Sequence, residues 1–509
     1  VINITLAEES QLLDEVVVVG YGVAKKESLT SAISVIKSED IVSTKQVDVM
    51  ATLQGKIPGL LITQKSSTPG AFDNQVSLRG YGDPIVVVDG VVRTATAKDS
   101  QWNYDRTSGS IYLAQMNPDD IESITVLKDA SASIYGLGAG NGVILVTTKK
   151  GNISKPTITY STNLMYGKPT GWPESVDIVT YLRLKNEMAA NSKRAQKYTE
   201  EFIQHYIDGD EGYVDTDWFR EVYKNSSFSH NHNLSLRGGN EQTQYYLSGN
   251  YTDDGSLFVA DSYRNQRYSF RANVTTNITK NLSATFQANI FHMIDNKFDG
   301  NFTGMKFYYV ALADRTVAPR VLGDPLHWTY MADSEGRNPV AMSNDENNYS
   351  RSTTNTFNNN LDITYNAPFL PGLRITASGA FDHTNNQNNT LTKNFPMYNY
   401  WTNELAGYNV DRNRYSESWN KSIRLYGRTQ ALYSKSIERH NMTAMIGAEV
   451  TKNKGQNISA RRDFGDFFTH ATINSGDAST ATNSGSRSDI ATAGYIGRVT
   501  YDYAGKYLI

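Results

Sequence analysis

The chain has 509 residues, 49 of them basic and 52 acidic, so its formal net charge is −3 and no nucleic-acid footprint is indicated. It has no cysteine, which excludes disulfide frameworks, thiolate metal sites and cysteine nucleophiles. Its apolar runs are far shorter than the ~20 residues of a spanning helix, which excludes a helical membrane protein; a mean hydropathy of −0.49 still permits a β-barrel, whose lipid face needs only every second residue.

The opening INITL reads as the end of a strand belonging to something upstream, and the closing run from Tyr495 reads as strand with no terminator. Material is therefore expected beyond both ends. Leu12 to Gly22, LLDEVVVVGYG, is a β-branched run after two acids. On pattern alone a buried strand is the preferred reading; an exposed strand that another protein completes by edge pairing is the alternative.

Thr30 to Ile36 alternates as a strand, and short helices are expected after Ser38 and over Val47 to Leu53, stopped by Pro58 and Gly59. Strands follow at Leu60 to Thr63, Gln75 to Arg79 and Ile85 to Asp89, with Asp89 and Gly90 turning the chain into Val91 and Val92. The run Thr94 to Gln115 reads as an irregular insertion, in which Trp102, Tyr104 and Tyr112 serve either a ligand or loop packing, with packing slightly preferred. From Asn117 to Gly151 the pattern is sharper. Asn117 caps a short turn with Pro118 at its first position. A strand carries Ile124 and Val126 on one face, with Ser123, Thr125 and Leu127 on the other, and Asp129 caps a short helix that Gly136 ends. Gly136, Gly138, Gly140 and Gly142 turn the chain into a strand at Val143 to Thr148. The cluster GLGAGNG lacks the lysine and hydroxyl residue of a phosphate loop and precedes a strand, so a nucleotide site is excluded.

Beyond Gly151 strict period two takes over. It runs through Ile158 to Tyr166, Phe228 to Leu236, Tyr245 to Tyr251, Tyr268 to Ile278, Leu282 to Ile290, Phe357 to Tyr365, Leu373 to Phe381, Ile423 to Tyr433, Met442 to Val450 and Tyr495 to Tyr503. These are about ten strands of the length a tilted membrane crossing needs. In Tyr268 to Ile278 the oily set is Tyr268, Phe270, Ala272, Val274 and Ile278, and the wet set is Arg271, Asn273, Thr275 and Asn277. The 32 tyrosines against 18 phenylalanines suit membrane girdles and sugar-binding surfaces alike. Connections alternate in length. Those at Gly238 to Gln242, Thr279 to Asn281, Ala367 to Gly372 and Lys435 to Asn441 are short, whereas Gly167 to Ser227, Thr252 to Arg267, Phe291 to Thr356, Asp382 to Ser422 and Thr451 to Gly494 are long. A soluble sandwich gives no reason for that parity; a bacterial barrel does.

The first long loop carries a helix through Val176, Ile178, Val179, Leu182 and Met188, and a second at Tyr198 to Ile207. Its acids Asp208, Asp210, Glu211, Asp215 and Asp217 match no calcium-loop spacing, so a solvated acidic loop is preferred over a calcium site and no cofactor is expected. His230 and His232 share the strand face assigned outward, where a functional metal is not expected. No nucleophile elbow, HExxH motif or paired carboxylates are present, so no enzyme class has a positive argument.

Taken together, LDEVVVVGYG (Leu13 to Gly22), LQGKIPGLLIT (Leu53 to Thr63), SLRGYGDPIVVVDGV (Ser77 to Val91), Asn117 to Gly151, DTDWF (Asp215 to Phe219), HNLSLRGGNEQTQYYLSGNY (His232 to Tyr251) and the closing GYIGRVTYDYAGKYLI resemble the SusC-like (RagA-like) TonB-dependent outer-membrane transporters of Bacteroidetes. The resemblance implies a membrane all-β fold. An αβ plug at residues 28–151 would fill an antiparallel transmembrane β-barrel of roughly 22 strands, of which residues 152–509 supply about the first ten. Residues 1–10 would end an upstream carboxypeptidase-regulatory-like domain, and 11–27 would hold the TonB box and a linker. Asp14, Glu15, Val16, Val17, Val18 and Val19 would then be the edge to which TonB adds, which reverses the preference for a buried strand. Implied partners are a SusD-like surface lipoprotein as lid, TonB with ExbB and ExbD, outer-membrane lipid, and an oligosaccharide or oligopeptide cargo. Phe72, Trp102, Tyr104, Trp328 and Tyr330 are candidate stacking contacts, weighed evenly against loop packing. Rival readings are a lidless siderophore or vitamin receptor on the same fold and a structural or adhesion protein. One departure stands out: relatives carry YGSRAANGV where this chain has YGLGAGNGV at Tyr135 to Val143, which puts in doubt any plug-to-barrel ion pair made by that arginine.

Overall fold

Short β-branched runs separated by glycine and proline turns assemble the first half of the computed structural model, which describes residues 16–19, 22–25, 33–44, 46–65, 68–98, 105–128, 132, 135, 137–260, 263–298, 306–332, 336–344, 347–465, 471–503 and 507–508. Strands β1 (Ile33–Lys37), β2 (Ile85–Val88), β3 (Val91–Arg93), β4 (Ile121–Leu127) and β5 (Val143–Thr148) form a sheet in the order β1-β4-β5-β2-β3. Only β5 and β2 run parallel. Helices α1 (Ser38–Ser43), α2 (Val49–Leu53) and α3 (Gly109–Gln115) bury Ile41, Met50, Leu53, Ile111 and Leu113 against Ile36, Ile124, Val126, Ile144 and Val146 on one face. The other face buries Val87, Leu127, Val143 and Leu145. Both sides of β4 and β5 are therefore covered, which explains why the opposed sets expected in β4 are both apolar at its far end.

The segment from Thr94 to Gln115 is more regular than its sequence suggests. Ala95–Lys98 pairs with Asp105–Ser108, and Ser108 then caps α3 by accepting from the Ile111 amide at 3.2 Å. The seven-residue helix is buried on nearly every side, so it carries no amphipathic pattern that would mark it in the sequence. Asn117 caps its 3-10 turn as expected, accepting from the Asp119 amide at 3.2 Å. The helix expected from Asp129 falls largely outside the described residues.

From Ser154 onward ten long strands pair antiparallel in strict chain order. They are β6 (Ser154–Gly167), β7 (Ser227–Gly239), β8 (Thr243–Gly255), β9 (Arg264–Asn277), β10 (Leu282–Lys297), β11 (Asn348–Asn366), β12 (Leu373–Thr392), β13 (Asn413–Ile437), β14 (His440–Phe464) and β15 (Thr482–Tyr503). Tyr507–Leu508 adds to β15. Tyr268, Phe270, Phe286, Ile290, Leu361, Phe381, Leu425 and Ile446 point outward and are exposed, whereas Arg271, Asn273, Gln287 and Asn360 point inward and are buried. The two faces of β9 are those its alternation predicts.

The strands run well past the expected segments. β13 and β14 each have 25 residues and turn at Glu438 and Arg439 alone, with Glu438 at φ 52°, a tighter hairpin than the expected Lys435 to Asn441 turn. Most of the extra length is on the side of the long connections and is largely polar, so apolar alternation could not mark it. The alternation of short and long connections holds throughout. In the first long loop α4 (Ile178–Asn191) and α5 (Glu200–Asp208) pack through Leu182, Tyr198 and Ile203.

Gly142 has φ +89°, and a Cβ there would press into the Leu78 side chain and sit 3.0 Å from the Leu127 carbonyl oxygen. Gly142→Ala should therefore destabilise the plug by roughly 2–4 kcal/mol, from backbone strain plus overpacking. Thermal unfolding of the full-length protein checks this, and an unchanged plug transition would contradict it.

Candidate functional site

The five-stranded domain lies in the lumen of the long-stranded sheet and is held there by polar contacts. At their centre is Asp120, at the end of the 3-10 turn that Pro118 opens. Its carboxylate accepts from the Tyr246 hydroxyl at 2.9 Å, the Ser248 hydroxyl at 2.6 Å and Arg271 Nε at 3.4 Å. The Asp120 and Arg271 side chains are 3% and 5% exposed, so this is a sealed pair whose lone pairs and donors are met by hydroxyls and by Asn289. Nearby, Asn273 Nδ2 donates to Thr148 Oγ1 at 2.9 Å and to the Lys149 carbonyl at 2.6 Å, and Asn117 Nδ2 donates to Asn233 Oδ1 at 2.9 Å.

A second grip holds the β2–β3 hairpin. Arg428 Nη1 donates to the Gly90 carbonyl at 3.2 Å, Arg424 donates to the Val92 carbonyl, and Arg93 is ion-paired with Asp382. Asp89 braces the same hairpin from inside, accepting from the Thr148 amide at 3.0 Å and its hydroxyl at 2.6 Å.

Above these contacts, towards the long connections, lies a cavity of about 1280 Å³. Its wall is mostly neutral hydrogen-bonding groups from adjacent strands, such as Ser352 and Thr354 of β11, Asn386 and Asn388 of β12, Asn420 of β13 and Asn453 of β14, with the charged Asp295, Lys297, Lys421 and Glu449 among them. Its floor is the plug, through Phe72, Arg93, Tyr112 and Asn117.

The candidate residues read from sequence are distributed unevenly. Phe72 lines the cavity, but its ring is largely buried, its φ is 45°, and the Arg267 guanidinium sits 5.1 Å from its centroid. Trp102 and Tyr104 lie outside the described residues. Trp328 and Tyr330 pack instead in a loop cluster with Tyr309, Met342, Phe395 and Met397, and the Arg320 guanidinium covers Trp328 at 3.1 Å. Asp14 and Glu15 lie outside the described residues, while Val16–Val19 pairs antiparallel with Gly22–Lys25. Asp210 pairs with His205, Asp215 takes Arg315 through both oxygens, and Asp217 caps the helix Trp218–Val222. His232 faces outward and meets the Tyr160 hydroxyl at 2.8 Å. The sequence alone does not mark the anchoring residues Asp120, Tyr246, Arg271, Arg93, Asp382 and Arg424 as a site. Their one sequence signal is a charged residue on the inward face of a period-two strand, visible for Arg271.

Residues 25–143 match the family model described as the TonB-dependent Receptor Plug Domain. The TonB-dependent receptor SusC of Bacteroides thetaiotaomicron is 28% identical over 88% of this chain and 43% of its own length. The chain is similar to the SusC-like TonB-dependent receptors over most of its length. TonB-dependent receptor P3 of Formosa agariphila is likewise 28% identical, over 100% of this chain and 47% of that one. This SusC-like chain thus spans about half the length of the curated relatives it matches. The structure of the RagAB peptide importer in its open-open state superposes with a TM-score of 0.77 at 22% identity, covering 96% of this chain and 55% of that one. The ferric enterobactin receptor PirA of Pseudomonas aeruginosa is 32% identical, but over only 28% of this chain and 19% of its own. Like these relatives, the chain is an outer-membrane β-barrel protein with a plug domain in the lumen.

Two predictions follow from the seat. Arg271→Met leaves the Asp120 charge sealed without its partner and should cost about 3–5 kcal/mol, whereas adding Asp120→Leu should restore part of it. Limited proteolysis of the plug in the full-length protein reads both; a double variant no more resistant than the single one would contradict the pairing. Partly buried Asp48 caps α2 through the Met50 amide at 2.7 Å, and burial pushes its carboxyl up to about 6. A raised folded-state value means the folded plug holds an extra proton between pH ~4 and ~6 and loses stability as pH rises through that window, on the order of 2–3 kcal/mol. Amide exchange in α2, corrected for its intrinsic pH dependence, should show falling protection over this range, flattened by Asp48→Asn.

Proposed function

We propose that the chain is the plug and first part of the barrel of an importer that draws a large polar nutrient across the outer membrane, powered by TonB. The observation that carries this reading is the largely polar character of the plug seat. Apolar contacts between plug and barrel are few, as at Val91 against Ala380 and Tyr426 and at Phe291 and Met293, and contacts such as Asn273 to Lys149 and Asn117 to Asn233 can be exchanged for water. Each such hydrogen bond contributes only about 0.5–1.5 kcal/mol net, so the seat is breakable in steps under a pull. The ion pairs of Arg271 with Asp120 and of Arg93 with Asp382 are the stiffest points of that path.

The cargo is an oligosaccharide or an oligopeptide. The Ser, Thr and Asn carpet supports a ligand recognised by many neutral hydrogen bonds along its length, which suits both polymers. The likeness to SusC and to a RagAB peptide importer supports a SusD-like surface lipoprotein as lid, with TonB, ExbB and ExbD as the energy source. TonB takes the strand Val16–Val19 by edge pairing; among the described residues that strand pairs only with Gly22–Lys25, on one edge.

Removing Asp14 to Val19 from the full-length protein should abolish nutrient uptake while leaving outer-membrane insertion intact. Growth on the cognate nutrient, with membrane fractionation alongside, measures both. Uptake that survives the deletion would sink the reading.

A further inference from the structure

The floor of the cavity carries more cationic hydrogen-bonding capacity than the protein itself uses. Arg93 rises from the plug strand β3, and Arg424 faces it from the barrel strand β13. Both line the cavity, and both face Asp382 of β12, while Glu449 of β14 also lies within electrostatic reach of Arg424. Arg93 reaches Asp382 Oδ1, and Arg424 Nη1 lies 3.8 Å from Oδ2. The two guanidiniums are therefore already spaced to share a carboxylate between them.

A guanidinium has five N–H donors in a planar fork. Among the described residues Arg93 directs Nη1 alone at Asp382, and Arg424 directs Nη1 at the Val92 carbonyl and towards Asp382. Neither has a nitrogen that is both buried and without a partner, so the spare donors meet the cavity. The second carboxylate on this floor, Glu449, accepts from the Tyr426 hydroxyl at 3.1 Å, and the Arg424 guanidinium lies 5.9 Å from the Tyr426 ring centroid. On another part of the wall, Lys297 is tied to Asp295 at 2.6 Å. Arg428, just below, is turned to the Gly90 carbonyl and the Ser378 hydroxyl.

We propose that Arg93 and Arg424 form a carboxylate-binding subsite at the cavity floor. A carboxylate borne by a polar oligomer enters there and takes the donors that Asp382 leaves open, with the rest of the ligand lying along the Ser, Thr and Asn wall. The chain end of a peptide and an acidic sugar present the same group. This role within transport rests on the import reading above. Because the site is half plug and half barrel, displacement of the plug carries Arg93 away from Arg424 and splits it, which releases the ligand on the side to which the plug moves.

The test is calorimetric titration of the purified full-length protein with two matched pairs of probes: tetra-alanine against its C-terminal amide, and trigalacturonate against its methyl ester. The acid of one pair should bind at least ~10-fold more tightly than its neutral counterpart, the scale of a charge-assisted contact, and that pair identifies the source of the carboxylate. Arg93→Gln and Arg424→Gln should each erase the preference. Asp382→Asn, which removes the internal competitor, should enlarge it, a gain that misfolding does not produce. Equal binding of acid and neutral forms in both pairs overturns the subsite, as does a preference that survives both arginine substitutions or shrinks in Asp382→Asn. Uptake dependent on Asp14 to Val19 without any acid preference removes the subsite and leaves import standing. An acid preference together with uptake that survives that deletion does the reverse.

Discussion

A strand that crosses hydrocarbon has no water to satisfy its amides and carbonyls, so each must pair with a neighbouring strand. Everything else in this chain follows from that constraint. The ten long strands pair in chain order, antiparallel, and each connection returns the chain to the edge it has just made. Once the backbone is extended, side chains alternate between lipid and lumen. Phe270 and Ile290 are then obliged to be oily, and Arg271 and Asn289 are left free to be polar.

The same geometry builds the chamber. A strand of 25 residues such as β13 is about 80 Å long, well beyond what a tilted crossing of ~30 Å of hydrocarbon needs. The excess stands on the side of the long connections, where neither face meets lipid. Its inward residues, Ser418, Asn420 and Ser422, then become the cavity wall, while Arg424 and Arg428 lower on the same strand grip the plug. One strand thus serves the chamber, the seat and the membrane in succession.

Much of this was legible in the sequence because it depends on local periodicity. The outward and inward sets of β9, the parity of the connections, the cap at Asn117 and the turn at Asp89 and Gly90 each arise from residues close together in the chain. Where reading failed, the cause was non-local. Helix α3 and the hairpin before it lie in a segment with no amphipathic signal of its own, because the surrounding structure buries the helix on nearly every side. For Trp328 and Tyr330 the sequence left stacking and loop packing evenly weighed, because Met342, Phe395 and Met397, which pack against them, come from distant parts of the chain. The arginine missing from YGLGAGNGV cast doubt on a plug-to-barrel ion pair, and two others stand elsewhere, at Arg271 with Asp120 and at Arg93 with Asp382.

By itself the sequence determined the class of the protein: a compact αβ unit followed by period-two strands with alternating short and long connections, since hydrophobic period and turn chemistry are written in neighbouring residues. Only the tertiary structure decided which inward side chain meets which part of the plug. Asp120 and Arg271 are 151 residues apart, and Arg93 and Asp382 are 289 apart. No spacing rule reaches that far, because the register between plug and barrel is set by how a folded domain sits inside a curved sheet.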